Sequence, residues 1–220
     1  MNAPIYALHG LPRSGKDTLG RLLIGQGADR FTFASALYAD VAQMFTVSIE
    51  DMQTEEWKRY PQDALANWRP DHVEYRRWLK DRGESTFEPR TSRYHLRLYG
   101  TEFCQSKFGV SYWANRLRLL LDAESDPGIP IVITDVRRYG NSFHEYDMLR
   151  GWAAQNERMM HMIRIVRDAS VFSVDELHSS DADYPDSVID LTIHNSGKPE
   201  DMLTQLDEFL SPKEKATTHA

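Results

Sequence analysis

A phosphate-sized anion is the ligand suggested by one short run near the amino terminus. Gly10-Leu-Pro-Arg-Ser-Gly15-Lys16-Asp17-Thr18 has the spacing G-x-x-x-x-G-K, with Asp where Ser or Thr usually follows the lysine and Thr one residue later. Glycines let backbone N–H groups curl around phosphate oxygens, and a helix amino terminus adds a positive dipole. Lys16 would reach the β- and γ-phosphates of a bound nucleotide. A Mg²⁺ ion would be held by the Asp17 carboxylate, by the Thr18 hydroxyl, or by both. Arg13, inside the loop, either faces the transferring phosphate or is a surface charge. Further along, Asp135 and Arg137 follow a β-branched run, Ile131-Val-Ile-Thr134. The carboxyl end of such a strand is where α/β sheets place ligands. Arg137, Arg138, Arg164 and Arg167 supply planar forks suited to phosphate, with Arg137 first among them. The alternative for Arg138 and Arg164 is a surface salt bridge. Asp135 would order Mg²⁺, hold a phosphate-binding arginine, or cap the strand end.

The elements that must position these groups alternate. Residues 4–9 are a short apolar run that leads into the loop and predicts a buried strand. Residues 16–25 carry Leu19, Leu22 and Leu23 at helical spacing. Strands are predicted at 31–34, 131–134, 162–166 and 188–193, and helices at 35–46, 93–107, 111–123, 141–156 and 200–210. Residues 47–92 are polar, rich in Trp and Arg, and broken by Pro61, Pro70 and Pro89, so they predict short helices joined by loops. That stretch reads as an insertion in a single domain spanning 1–210. The polar residues 211–220 predict a disordered tail. Strands alternating with helices imply a parallel sheet with right-handed crossovers.

Composition bounds the function. The chain has 220 residues, 41% hydrophobic and 27% charged, which excludes collagen-like, fibrous and disordered classes. No apolar run approaches the ~20 residues of a membrane span, and the first residues lack the pattern of a signal peptide. The single cysteine, Cys104, forms no intramolecular disulfide and no Cys-rich zinc site, which predicts a reducing, cytoplasmic setting. The net charge of -7 argues against a dedicated duplex-DNA binder. Residues 69–97 nevertheless carry +3, with Trp68, Tyr75, Trp78, Phe87 and Tyr94 among the charges. This is either a solvated helical face or a track for an anionic strand.

Several motifs, in order, resemble the bacteriophage deoxynucleoside monophosphate kinase family. They are Arg13-Ser-Gly-Lys-Asp-Thr18, Phe33-Ala-Ser-Ala-Leu37, Leu98-Tyr-Gly100-Thr101-Glu102 with Tyr112-Trp113-Ala-Asn, Ile133-Thr-Asp135-Val-Arg137 with Asn141, Ile165-Val-Arg167, His178-Ser-Ser-Asp181, and Ile193-His-Asn195-Ser-Gly197. The matches span about residues 5–200. The resemblance implies an α/β, three-layer P-loop NTPase fold with a parallel central sheet and a helical substrate-side insertion. It implies transfer of the ATP γ-phosphate to a deoxynucleoside 5′-monophosphate, with Mg²⁺ as cofactor. Small nucleotides would then be the partners, with a homodimer allowed and no membrane. Gly10, Arg13, Ser14, Gly15, Lys16, Asp17, Thr18 and Arg167 would hold ATP. Arg93, Gly100, Thr101, Trp113, Asp135 and Arg137 would contact the monophosphate. Lys16, Arg13 and Arg137 would carry the catalysis. Trp113 would stack on the base, unless it packs in the core, the commoner place for a helical Trp. His178 and Asp181 read best as a structural turn. The chain departs from the family at Tyr38, Arg97 and Gln105, where Lys, Gln and Arg are usual. Base specificity therefore does not transfer. Three other readings are a P-loop kinase acting on hydroxymethylated bases in DNA, a kinase for a different small molecule such as a nucleoside or a coenzyme precursor, and a regulatory nucleotide-binding protein.

Overall fold

The computed structural model describes residues 2–138, 141–167 and 183–211, which divide into two compact units. The first unit is Met1–Thr32 with Leu120–Ala220, and the second is Phe33–Leu119. The second unit thus begins upstream of the 47–92 stretch and ends within a helix. The motif containing His178 and Asp181, and the tail from 212, lie outside the described residues.

The first unit is built on β1 (Asn2–His9), β2 (Asp29–Phe31), β3 (Ile131–Ile133), β4 (Arg158–Val166) and β5 (Leu191–His194). They lie in the order β2-β3-β1-β4-β5, and every neighbouring pair is parallel. β1 is therefore central, and all five carboxyl ends open on one edge. The burial of β1 deepens along the strand until both faces are covered. Tyr6 and Leu8 pack with Val132, Ile163, Ile165 and Ile193 against Leu19 and Leu23 of α1 (Lys16–Gly25) and Met202 and Leu206 of α10 (Pro199–Leu210). Ile5 and Ala7 alternate to the opposite face and are fully buried there. Helix α9 (His144–Gln155) packs on β4 and buries Leu149, Trp152 and Ala153. This is the α/β P-loop NTPase architecture, a parallel sheet with helices on both sides.

Strand boundaries differ from the sequence pattern, with β1 beginning at Asn2 and β5 at Leu191 after a 3₁₀ turn at Asp186–Val188. β4 begins at Arg158, four residues before the apolar run at 162. Polar Arg158 is nonetheless buried, because its guanidinium donates to the carbonyls of Ala3 and Ile129 at 2.9 Å and to that of Asp126. β2 is 29–31 instead of 31–34, because pairing with β3 sets its register while Ala34 already opens a helix.

The second unit is helical. After α2 (Ala34–Phe45) come α3 (Ile49–Gln53), α4 (Glu55–Arg59), a 3₁₀ turn at Asp63–Leu65, and α5 (Val73–Asp81). Each short helix starts at its own cap. Ser48 Oγ accepts from Asp51 N, Thr54 Oγ1 from Trp57 N, and His72 Nδ1 from Tyr75 N. These bonds satisfy amide groups that helices of one or two turns otherwise leave exposed. Thr91 caps α6 (Ser92–Arg97) in the same way, by accepting from Tyr94 N. The helix then widens into a π-helical stretch, Leu98–Cys104, and closes as α7 (Gln105–Phe108). Gly109, at φ 89°, ends it, and α8 (Tyr112–Glu124) follows. The core joins Val41, Phe45, Met52, Leu65, Tyr75, Leu79, Tyr99 and Phe103.

His95 sits in that core with no exposed surface. Its Nε2 bonds the Leu65 carbonyl at 2.7 Å and its Nδ1 meets the Tyr75 hydroxyl at 3.1 Å. Carbonyls only accept, so Nε2 carries the proton and Nδ1 accepts from Tyr75. Burial pushes the His95 pKa down from 6.5 to about 4. His9 and His161 are lowered too, again mainly by burial. The unfolded chain therefore takes up protons that the folded chain refuses. For His95, stability present above pH 6.5 is lost as the pH falls from there toward 4, at about 1.4 kcal/mol per pH unit, and His9 and His161 act in the same direction. Thermal melts between pH 7.5 and 5 should show a falling Tm, with a shallower slope in His95→Gln. Equal slopes would remove His95 as a cause.

Candidate active site at the carboxyl edge of the sheet

β1 ends in His9, and loop 10–15 turns the chain into α1. The turn needs left-handed backbone at three places, Gly10 (φ 145°), Arg13 (φ 60°) and Gly15 (φ 115°). At Gly10 a side chain is excluded twice over. Its Cβ would collide with the Ile165 carbonyl oxygen and would lie 2.9 Å from Ser14 Oγ. Ser14 is buried, and its hydroxyl has no hydrogen-bond partner among the described residues. A buried hydroxyl left in this way costs free energy unless something polar meets it. The loop is pinned from behind by Asn195, just beyond β5. Asn195 Nδ2 donates to Ser14 O at 2.8 Å, while its own N–H donates to Val166 O at 2.8 Å. β4, β5 and the loop are thereby tied at one point.

Lys16 opens α1 and folds back over the loop. Its Nζ donates to Gly10 O at 2.6 Å and to Leu11 O at 2.8 Å. The ammonium is thus held at the mouth of the glycine turn. Asp17 is exposed and has Arg30 3.8 Å from its carboxylate. Thr18 Oγ1 accepts from Arg21 at 3.5 Å. A Mg²⁺ ion is fitted by this donor set, since Mg²⁺ takes one or two protein oxygens and completes its shell with phosphate and water. Asp17 and Thr18 both offer such oxygens in the first turn of α1. Among the described residues there is no cluster of three His, Cys, Asp or Glu side chains that would hold a metal alone. Arg13, also in the loop, is exposed.

Next to β1, residues 134–137 follow β3. Thr134 is buried under α1, where it meets Gly20, a position with no room for a side chain. Val136 N donates to Leu8 O at 3.3 Å, which continues the sheet pairing past the strand. Asp135 is half-buried and Arg137 exposed. Arg137 N donates to Glu145 Oε2 at 2.6 Å, and Tyr184 Oη donates to Arg137 O at 2.7 Å. His9 spans the gap to this segment. Its Nδ1 lies 3.1 Å from Val136 O and its Nε2 3.0 Å from Asp183 Oδ1. Burial lowers the His9 pKa against the opposing pull of Val136 and Asp183, and Lys16 lowers it further. Arg167 stands exposed at the end of β4.

Of the two remaining arginines, Arg164 forms ion pairs, and Arg138 bonds a carbonyl and an amide oxygen. Arg164 donates from Nε to Asp183 Oδ1 at 3.1 Å, from an Nη to Asp186 Oδ1 at 2.6 Å, and from the other to Tyr184 O. Arg138 bonds Asp183 O and, at 3.1 Å, Asn141 Oδ1. The edge of the first unit thus brings together Gly10, Arg13, Ser14, Gly15, Lys16, Asp17, Thr18, Asp135, Arg137 and Arg167.

The other four predicted site residues belong to the second unit. Gly100 lies in the π-helical stretch, and Leu37 Cδ2 stands 2.7 Å from where its Cβ would be. Trp113 is 8% exposed, and its indole N–H donates to Gly100 O at 2.8 Å. It is therefore a core residue that also supports the glycine. Thr101 is half-buried, and Arg93 is exposed on α6. Arg97, one turn further, lies 4.0 Å from Glu102. π-helical segments are rare and concentrate at functional sites. The sequence pattern did not point to His9, Glu145 or Tyr184. Isolated His, Glu and Tyr carry no spacing signal, and their partners lie more than a hundred, eight and about fifty positions away.

No family model and no curated protein matches the chain. Among solved structures it is similar to the Mycobacterium tuberculosis APS kinase CysC in complex with AMPPNP and APS, at 10% identity and TM-score 0.46, covering 95% of this chain and 98% of that one. It is similar to TT1252 from Thermus thermophilus, at 16% identity and TM-score 0.45, covering 96% and 100%. A sugar kinase from Janibacter sp. HTCC2649 aligns at 16% identity and TM-score 0.39, covering 93% and 95%. These likenesses are loose, and the fold is defined by the strand order and the loop after β1.

The loop geometry makes a direct prediction. Gly10→Ala should abolish binding of an ATP analogue and lower stability by roughly 1–3 kcal/mol, the cost of a strained backbone position. Fluorescent-nucleotide titration and thermal melting read the two effects. Binding and Tm both at the unsubstituted level would mean that the loop admits a side chain and does not have this shape.

Proposed function

We propose that the chain is an ATP-dependent phosphotransferase, and that its acceptor is a deoxynucleoside 5′-monophosphate, yielding the diphosphate and ADP. The single observation that carries the phosphotransferase reading is the loop at the end of the central strand. It is left-handed at Gly10 and Gly15, holds Lys16 across its mouth, and presents a buried Ser14 hydroxyl with no hydrogen-bond partner among the described residues. The nature of the acceptor rests on the ordered family resemblance.

In this reading the loop amides, the Ser14 hydroxyl and the amino terminus of α1 receive the phosphates of ATP, and Lys16 shifts from its carbonyl partners toward the β- and γ-oxygens. Mg²⁺ bound through Asp17 and Thr18 would neutralise charge on the phosphates. A 5′-phosphate oxygen of the acceptor forms a bond to the γ-phosphorus as the bond to the β–γ bridging oxygen breaks. That electron pair leaves with ADP. Positioning and charge stabilisation carry such transfers, because the protein forms no covalent bond. Arg137 supplies its fork to the phosphoryl group in flight, Asp135 orders the groups around it, and Arg13 and Arg167 add charge at the rim. On the second unit, Arg93, Gly100 and Thr101 are assigned to the acceptor, with Trp113 acting through the Gly100 carbonyl it holds. Tyr38, Arg97 and Gln105 would set the base preference.

The test is ADP release with ATP·Mg²⁺ and each deoxynucleoside monophosphate in turn, with hydroxymethylated and ribose forms and a hydroxymethyluracil oligonucleotide alongside. Turnover on a free monophosphate is expected. Turnover on the oligonucleotide alone would overturn the acceptor assignment, and silence on every acceptor would overturn the transferase reading. Lys16→Ala should fold normally and lose about 100-fold or more in kcat, the loss typical of removing one transition-state donor. Arg137→Ala should lower kcat more than it raises the acceptor KM. A change confined to KM would assign Arg137 to acceptor binding.

A further inference from the structure

We propose that Glu145 is a positioning residue for Arg137, fixing the direction in which that arginine leaves the backbone. The inference rests on the phosphotransferase reading for its catalytic consequence and on the geometry alone for its structural one. Residues 135–137 are not a strand, yet their backbone is held as firmly as one. Side chains from three places in the chain grip successive groups. Val136 O is met by His9 Nδ1 at 3.1 Å, Arg137 N by Glu145 Oε2 at 2.6 Å, and Arg137 O by Tyr184 Oη at 2.7 Å. All three of these side chains are buried. Arg137 itself is exposed. With both its N–H and its C=O held from outside, the φ and ψ of Arg137 have little freedom, and the Cα–Cβ bond points one way. A long, flexible side chain is thereby given a fixed root, which lowers the ordering cost of placing its guanidinium on a phosphate.

A simple packing role does not account for Glu145. A carboxyl buried in the first turn of α9 is costly, and an apolar residue of similar size would fill the space more cheaply. Among the described residues, the group that Glu145 satisfies is a backbone N–H, which an ordinary turn could have satisfied with a carbonyl. Burial, reinforced by the charge of Asp135, pushes the Glu145 pKa well above the usual carboxylate range, against the opposing pull of the Arg137 amide and guanidinium. Glu145 Oε2 accepts from the Arg137 amide. Glutamine keeps an acceptor oxygen there, whereas alanine removes it.

The test compares wild type, Glu145→Gln, Glu145→Ala, Arg137→Ala and the Glu145→Ala/Arg137→Ala double variant. Thermal melts and ATP-analogue binding accompany acceptor-dependent ADP release, and amide hydrogen exchange at position 137 is followed in the variants that keep Arg137. Glu145→Gln should stay within about threefold of wild type in kcat. Glu145→Ala should bind the analogue normally and lose about tenfold or more in kcat, with a smaller change in acceptor KM. In the double variant the Glu145 substitution should add little to the Arg137 loss, since both act through one group. The amide of Arg137 should exchange slowly in wild type and Glu145→Gln and faster in Glu145→Ala. A Glu145→Ala protein with wild-type kcat, or fully additive losses in the double variant, would overturn the proposal. If wild type turns over no acceptor, the transferase reading fails by itself, and the exchange rate still decides: unchanged exchange in Glu145→Ala would refute the positioning role. Should Glu145→Ala not fold, Glu145→Gln with a lost kcat and an Arg137 amide still protected, or with wild-type kcat and an exposed amide, would refute it equally.

Discussion

The carbonyl of Ile165 occupies the space where a side chain on Gly10 would go. That close approach is the constraint on which the shape of the loop depends. It requires β4 to lie directly beside β1, and it requires the chain to leave β1 through a left-handed residue. Once Gly10 is set, Ser14 and Gly15 return against Asn195, and Lys16 enters α1 with its ammonium over the turn. Neighbouring strands, not the loop's own residues, therefore decide how the loop curls. A short glycine-containing segment has too many accessible conformations to hold one without such walls.

The same edge shows how a parallel sheet concentrates polar groups. Each strand ends with unpaired backbone groups, and the following residues must find partners outside the ladder. At β3 these partners are side chains from β1, from α9 and from the segment at 184. At β4 the partner is Asn195, whose N–H meets the Val166 carbonyl while its side chain meets the loop. A dense network of buried His, Glu and Tyr with a half-buried Asn results where charged groups project to solvent. Such networks are rigid when fully satisfied, and rigidity at the root of Arg13, Lys16 and Arg137 is what phosphate recognition demands.

The second unit reaches its order by other means. Its helices from α3 to α6 are too short to persist by propensity. Side-chain caps at Ser48, Thr54, His72 and Thr91 begin them, and an aromatic core around Tyr75, Tyr99 and Phe103 holds them. Several of its arginines are spent locally. Arg82 lies over Trp78 and pairs with Glu102, and Arg90 lies over Tyr94 and pairs with Glu88. Much of the basic, aromatic stretch is thus self-contained, as expected of a solvated helical face.

Much was legible in the residues alone. The loop spacing, the apolar run before it and the leucines after it specify strand, turn and helix, because glycine freedom and helical periodicity are local properties. The two helices parted near Gly109 were legible for the same reason, and so was the broken stretch between 47 and 92. Strand limits at β2 and β4 were not, since pairing with a distant strand can make Arg158 part of a sheet although its type argues otherwise. The widening of the helix at Leu98–Cys104 also left no local mark. Which side chains hold the strand-end segments was decided only in three dimensions. A hydrogen bond from Arg137 to Glu145, or from Tyr184 to Arg137, depends on where α9 and β4 come to rest, and no short-range pattern encodes that distance. The chain's local chemistry names the groups that can meet a phosphate, and its tertiary contacts fix the directions in which they point.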